Sequence, residues 1–200
     1  MAFRRRRRTT RRPRRRFNRR KFSRKARPSG NDKRFHKLKQ VKDVSTDASG
    51  VISVFANNDV SLAQEWTTFT GLYDAYKVCA VKIQFIPNLP NDTSANAQYS
   101  PLYIAHDFNN GTITAPTENI LIQYGDVKVK NLFRPWTYYT RFAAQSYSGN
   151  ATSVSMTKGY RRTDDTTASQ CAFMYSENNS FSTSYGRILI TYYVTFKYRR

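Results

Sequence analysis

The stretch Tyr76–Pro87, YKVCAVKIQFIP, repeats with a period of two. Cys79, Val81, Ile83 and Phe85 fall on one face, and Tyr76, Val78, Ala80, Lys82 and Gln84 on the other. Successive side chains of a strand point to opposite faces, so this rhythm predicts a β-strand with one face in a core. The C-terminal stretch Gly186–Arg200, GRILITYYVTFKYRR, repeats it: Ile188, Ile190, Tyr192, Val194, Phe196 and Tyr198 share a face, with Arg187, Thr191, Thr195 and Lys197 mainly opposite. In Asp126–Phe133, DVKVKNLF, Val127 and Val129 alternate with Lys128 and Lys130.

Shorter strands are expected at Val51–Phe55, Leu102–Ala105 and Cys171–Tyr175, and a first one within the basic stretch Lys33–Lys42. Polar loops separate them, and helix signals are few. Asp59 is an N-cap candidate for a short helix in DVSLAQEWTTF, and APTENILIQYG ends at Gly125. About six to eight strands without a βαβ rhythm predict an all-β fold, a single jelly-roll β-sandwich.

Charge divides the chain. Residues 1–42 hold 21 basic residues and one acid, Asp32, giving +20; residues 43–200 hold 13 basic and 12 acidic residues, giving +1. The turn formers of Pro28–Asp32 mark the hinge, so residues 1–32 are expected to be a basic arm and residues 33–200 the jelly-roll domain. The arm's like charges repel and only Phe3, Phe17, Phe22 and a few alanines offer apolar surface. It is therefore expected to stay disordered until it meets a polyanion, with a reach on the order of 100 Å. No apolar run approaches the ~18 residues needed to span a bilayer, so membrane insertion is not expected. Nor does a hydrophobic stretch follow the basic start as it would in a signal peptide.

Evidence for catalysis is thin. The two histidines, His36 and His106, make no metal motif, and His106-Asp107 is expected to be a strand end entering a polar loop. No phosphate-binding glycine loop and no nucleophile elbow is present, and Asp164, Asp165 and Glu118 stand as isolated loop carboxylates. Cys79 and Cys171 fit no metal spacing and are expected to be free and buried. Neither an enzyme nor a cofactor or metal site is expected.

The arm carries the functional signal. Guanidinium groups bind phosphate oxygens in a bidentate way, and each neutralised phosphate releases counterions. The expected phosphate contacts are Arg4, Arg5, Arg6, Arg7, Arg8, Arg11, Arg12, Arg14, Arg15, Arg16, Arg19, Arg20, Lys21, Arg24, Lys25 and Arg27. Lys33, Arg34, Lys37 and Lys39 are expected to continue the site where the arm leaves the body, and Arg199 and Arg200 either join them or bridge subunits. Phe17 and Phe22 either stack on bases or are plain arm residues. The same basic run reads as a nuclear import signal. A neutral, aromatic-rich body suits packing against protein, and with a cationic arm it points to packaging of nucleic acid by a shell of many copies. A capsid subunit of a small RNA or satellite virus, or a ribosomal or chromatin protein, remains an alternative on these grounds.

Three stretches resemble the capsid proteins of circoviruses and related small circular single-stranded DNA viruses. They are the Arg-rich start, YDAYKVCAVKIQFIPN from Tyr73 to Asn88, and the C-terminal RILITYYVTFKYRR. The resemblance implies a jelly roll assembling as a homo-oligomer, a sixty-subunit icosahedral shell around a circular single-stranded DNA genome. It further implies host nuclear import factors and a host-cell receptor as partners, and the virion and host nucleus as locations.

Overall fold

The computed structural model describes residues 33–88, 101–108, 116–142, 159–165, 168–178 and 181–199. In chain order the elements are β1 (Arg34–Ser45), β2 (Val51–Asn57), α1 (Trp66–Leu72), β3 (Tyr73–Pro87), β4 (Leu102–Asp107), α2 (Glu118–Ile122), β5 (Lys128–Lys130), β6 (Trp136–Arg141), β7 (Arg161–Arg162), β8 (Cys171–Glu177) and β9 (Ser184–Arg199). All strand pairs are antiparallel. One sheet has the order β1-β9-β3-β6, with β7 also on β3; the other has the order β2-β8-β4-β5. The chain changes sheet at most connections, and its first and last strands lie side by side. This is the jelly roll expected from the alternation.

The core lies between the sheets. Leu38, Ile83, Phe85, Ile190 and Tyr192 of the first sheet meet Ile52, Leu102, Ile104 and Met174 of the second, all nearly inaccessible to solvent. A smaller cluster covers the outside of the second sheet, where Leu121 of α2 packs with Ala105, Phe173 and Tyr175. That second cover explains why β8 is buried from Cys171 to Ser176: Ala172 and Met174 face the main core while Phe173 and Tyr175 face α2. A central strand covered on both sides loses its alternation.

Strand β3 departs from the alternation expected of Tyr76–Pro87. Val81, Ile83 and Phe85 are buried as expected, but Cys79 is not with them, and Tyr76 and Val78 are. The cause is a β-bulge. Val78 pairs with Val194 and Ala80 with Tyr193, leaving Cys79 as the extra residue. One inserted residue exchanges the faces of everything before it. Cys79 is consequently half-buried, with its Sγ 3.5 Å from Thr195 Oγ1 on the outer face. Cys171 is free and buried as expected, and burial pushes its thiol up to about 12.

Other differences are local. Tyr198 leaves the apolar face of β9: its φ of 55° breaks the strand geometry, and it is exposed. Val129 is exposed because β5 is a three-residue edge strand. Asp59 caps no helix. Its carboxylate accepts from Ser61 N and Ser61 Oγ at 2.8 and 3.0 Å, closing a turn, and α1 begins only at Trp66. Strands β6 and β7 lie in sequence not expected to be extended.

Candidate nucleic-acid interface

Strand β1 reads RFHKLKQVKDVS, and from His36 to Val44 its even-numbered residues turn inward. Leu38 and Val44 are buried, while Lys37 and Lys39 project from the opposite, outer face of the first sheet and are exposed. Lys33 precedes the strand and Arg34 opens it, both exposed. These four continue the cationic sequence on the described body. The expected phosphate contacts from Arg4 to Arg27, and Arg200, lie outside the described residues. Arg199 is exposed at the end of β9, opposite Tyr73.

Register brings further cations to that outer face. Lys39 pairs with Thr191, which pairs with Lys82, which pairs with Tyr139. One row along, Lys37 pairs with Tyr193, which pairs with Ala80, which pairs with Arg141. Lys82 and Arg141, neither of them among the expected phosphate contacts, thus join Lys37 and Lys39. Lys82 was visible as the polar alternate of the opening stretch; Arg141 sits in β6, for which no signal was recognised.

Carboxylates are absent from β1 between Phe35 and Val41 and from the facing segments of β9, β3 and β6. Asp43, further along, is held by Arg187 at 3.1 Å, with both side chains well exposed. Lys42 turns the other way: its Nζ donates to the Phe55 carbonyl at 2.8 Å, and burial lowers its pKa against a weaker opposing pull from Asp59. The outer face is therefore a field of one sign, in a body (residues 33–200) that holds 18 basic and 12 acidic residues.

His106 is buried between the two sheets. It belongs to β4, where Asp107 is the last residue, as expected of a strand end. Its Nδ1 lies 2.9 Å from Thr140 Oγ1 of β6, and its ring packs 4.1 Å from Phe108 and 5.1 Å from Phe142. Asp107 accepts from the Tyr124 hydroxyl at 2.8 Å, and burial with that bond pushes Tyr124 up to about 12. The pair is structural: it joins the two sheets and anchors the segment after α2. No cluster of three or more metal-ligating side chains occurs among the described residues.

Burial lowers the pKa of His106, and Asp126 and Asp107 only partly offset this. The folded chain consequently binds fewer protons than the unfolded chain below the ordinary histidine value of about 6.5. Stability from this group is complete above that value and is lost as pH falls towards the lowered one. The melting temperature is expected to drop between about pH 7.5 and 5.5, and to drop less in His106→Gln. A pH-independent melting curve over that window would remove the role.

A jelly roll with a cation-bearing outer face, preceded by a strongly cationic sequence, is the build of a small viral capsid subunit. The family of circovirus capsid proteins matches residues 4–200, and the chain belongs to it. The chain is accordingly a viral capsid protein, a component of the virion. No protein of curated function matches it. Among solved structures, it is similar to the BFDV capsid protein crystallised as a 60-mer, with TM-score 0.57 and 12% identity over 84% of this chain and 95% of that one. The capsid protein in the semi-empty virus-like particle of Macrobrachium rosenbergii nodavirus has TM-score 0.54 and 10% identity, over 88% and 98%. That of Mud crab tombus-like virus has TM-score 0.55 and 12% identity, over 100% and 94%. At such identities the likeness is one of fold, and the family match makes the assignment.

Proposed function

We propose that copies of this chain close into an icosahedral shell of about sixty subunits that packages circular single-stranded DNA, with residues 1–32 as the main grip on phosphate. The carrying observation is the segregation of charge: +20 in residues 1–42 against +1 in the remainder. A sandwich of low charge density, 18 basic against 12 acidic residues over 33–200, tiles with little self-repulsion, while the concentrated cations neutralise the polymer behind it. Sixty copies bring 16 cations each from residues 1–28, enough at one per phosphate for about a thousand nucleotides. Lys33, Arg34, Lys37 and Lys39 continue this site along β1. Contacts made to phosphate carry no base information, so this grip is independent of sequence. The same basic run serves nuclear import through host import factors, and surface loops meet the host-cell receptor.

Electron microscopy of the purified chain tests the first half: closed spherical particles are expected, and a monomer persisting across salt and pH would refute the shell. Nuclease digestion of the co-purified nucleic acid tests the second. Sensitivity to DNase and to single-strand nuclease is expected; sensitivity to RNase alone would move the chain's cargo to RNA.

A further inference from the structure

The outer face of the first sheet carries aromatic rings among its cations. Phe35 of β1 stacks on Tyr193 of β9 with centroids 6.0 Å apart at 28°, and Tyr193 meets Tyr139 of β6 edge-on at 5.9 Å. Phe35 is 57% exposed and Tyr139 52%, whereas the outside of the second sheet is covered by α2. A lone exposed ring is ordinary, but three in contact across a sheet are a surface. Each tyrosine also has a cation as its cross-strand neighbour. Tyr193 pairs with Lys37, whose Nζ lies 5.5 Å from its ring centroid, and Tyr139 pairs with Lys82.

We infer that this face is a stacking platform for single-stranded nucleic acid, taking bases on Phe35 and Tyr139 and phosphates on Lys37, Lys82 and Arg141. A nucleotide offers one flat apolar ring and one anion, and the platform repeats a ring beside a cation. The competing occupants fit poorly. Residues 1–27 hold 16 cations and no acid, so they are repelled by it. A second copy presenting the same face would oppose like charge with like charge. Duplex bases are already stacked and paired, so only a single strand can lend its bases to the rings. The face thus adds discrimination that a cationic arm lacks. It rests on the packaging reading above and refines it.

The test uses the full chain. Shells are assembled with an equimolar mixture of a thymidine oligonucleotide and an abasic one of equal length, then washed at raised salt to screen the arm. Base–aromatic stacking is worth about fivefold or more per base, so with bases on both Phe35 and Tyr139 at least a tenfold excess of the thymidine strand is expected in the shells. In the Phe35→Ala/Tyr139→Ala variant the ratio should fall to near one with total phosphate little changed, and Tyr139→Phe, which keeps the ring, should preserve it. The single alanine variants read the same ratio should the pair fail to assemble. Equal retention of both strands by the unaltered chain, or an unchanged ratio in the alanine variants, overturns the platform while leaving packaging intact. Shells that hold neither strand overturn both.

Discussion

Deletion of residues 1–32 is expected to lower affinity for single-stranded DNA by at least about a thousandfold at low salt, and to flatten its salt dependence. The segment holds 16 of the chain's 34 basic residues. If about ten of them are engaged, log affinity should fall with log salt at a slope near −7; the cations left on the outer face would support a slope nearer −3. The body should survive the deletion, because the buried core of the described residues begins at Leu38 and closes through β9. Fluorescence anisotropy with a thymidine oligonucleotide across a salt series reads affinity and slope together, and circular dichroism reads the retained sheet. A truncated chain that binds as tightly as the full one at low salt would transfer the main grip to the body.

How much of this could be read without coordinates depended on distance along the chain. Period-two patterns gave β3 and β9 because each strand writes its own alternation. The same rule misplaced Tyr76 and Val78, since the bulge at Cys79 inserts a residue without any compositional mark. Strand β6, WTYYTR, was missed: its apolar alternation is blurred by two adjacent tyrosines, of which Tyr138 turns into the core and Tyr139 out of it. For the interface, the cations at Lys37 and Lys39 were legible as part of a basic run. Their union with Lys82, Arg141 and three aromatic rings was not, because the residues stand on four strands and only the register β1-β9-β3-β6 makes them neighbours. Local periodicity reports which face a residue takes; it carries no information about which distant strand will lie beside it.

The substitution Phe196→Ala separates the two halves of the molecule from the opposite side. Phe196 is wholly buried in β9, where its ring stacks on Phe69 of α1 at 5.0 Å and 17°, and lies 5.2 Å from Tyr73 and 6.2 Å from Trp66. Its register partners are Arg34 of β1 and Tyr76 of β3, so the ring sits where three strands and α1 converge. Truncating a buried Phe to Ala costs about 3–5 kcal/mol, a large share of the roughly 5–15 kcal/mol available to a domain. A melting temperature lower by about 10 °C or more is expected, with loss of closed particles at physiological temperature. Phe196→Leu should recover much of that loss by refilling the cavity. Binding of single-stranded DNA by the unassembled variant should fall far less than in the arm deletion, since on the proposed reading the 16 cations of residues 1–32 bind through charge density and not through the core. Should Phe196→Ala melt within a degree or two of the unaltered chain, the contact between α1 and β9 would not be supporting the sandwich. Should it instead abolish DNA binding at low salt, the separation between a folded wall and a charge-driven grip would fail.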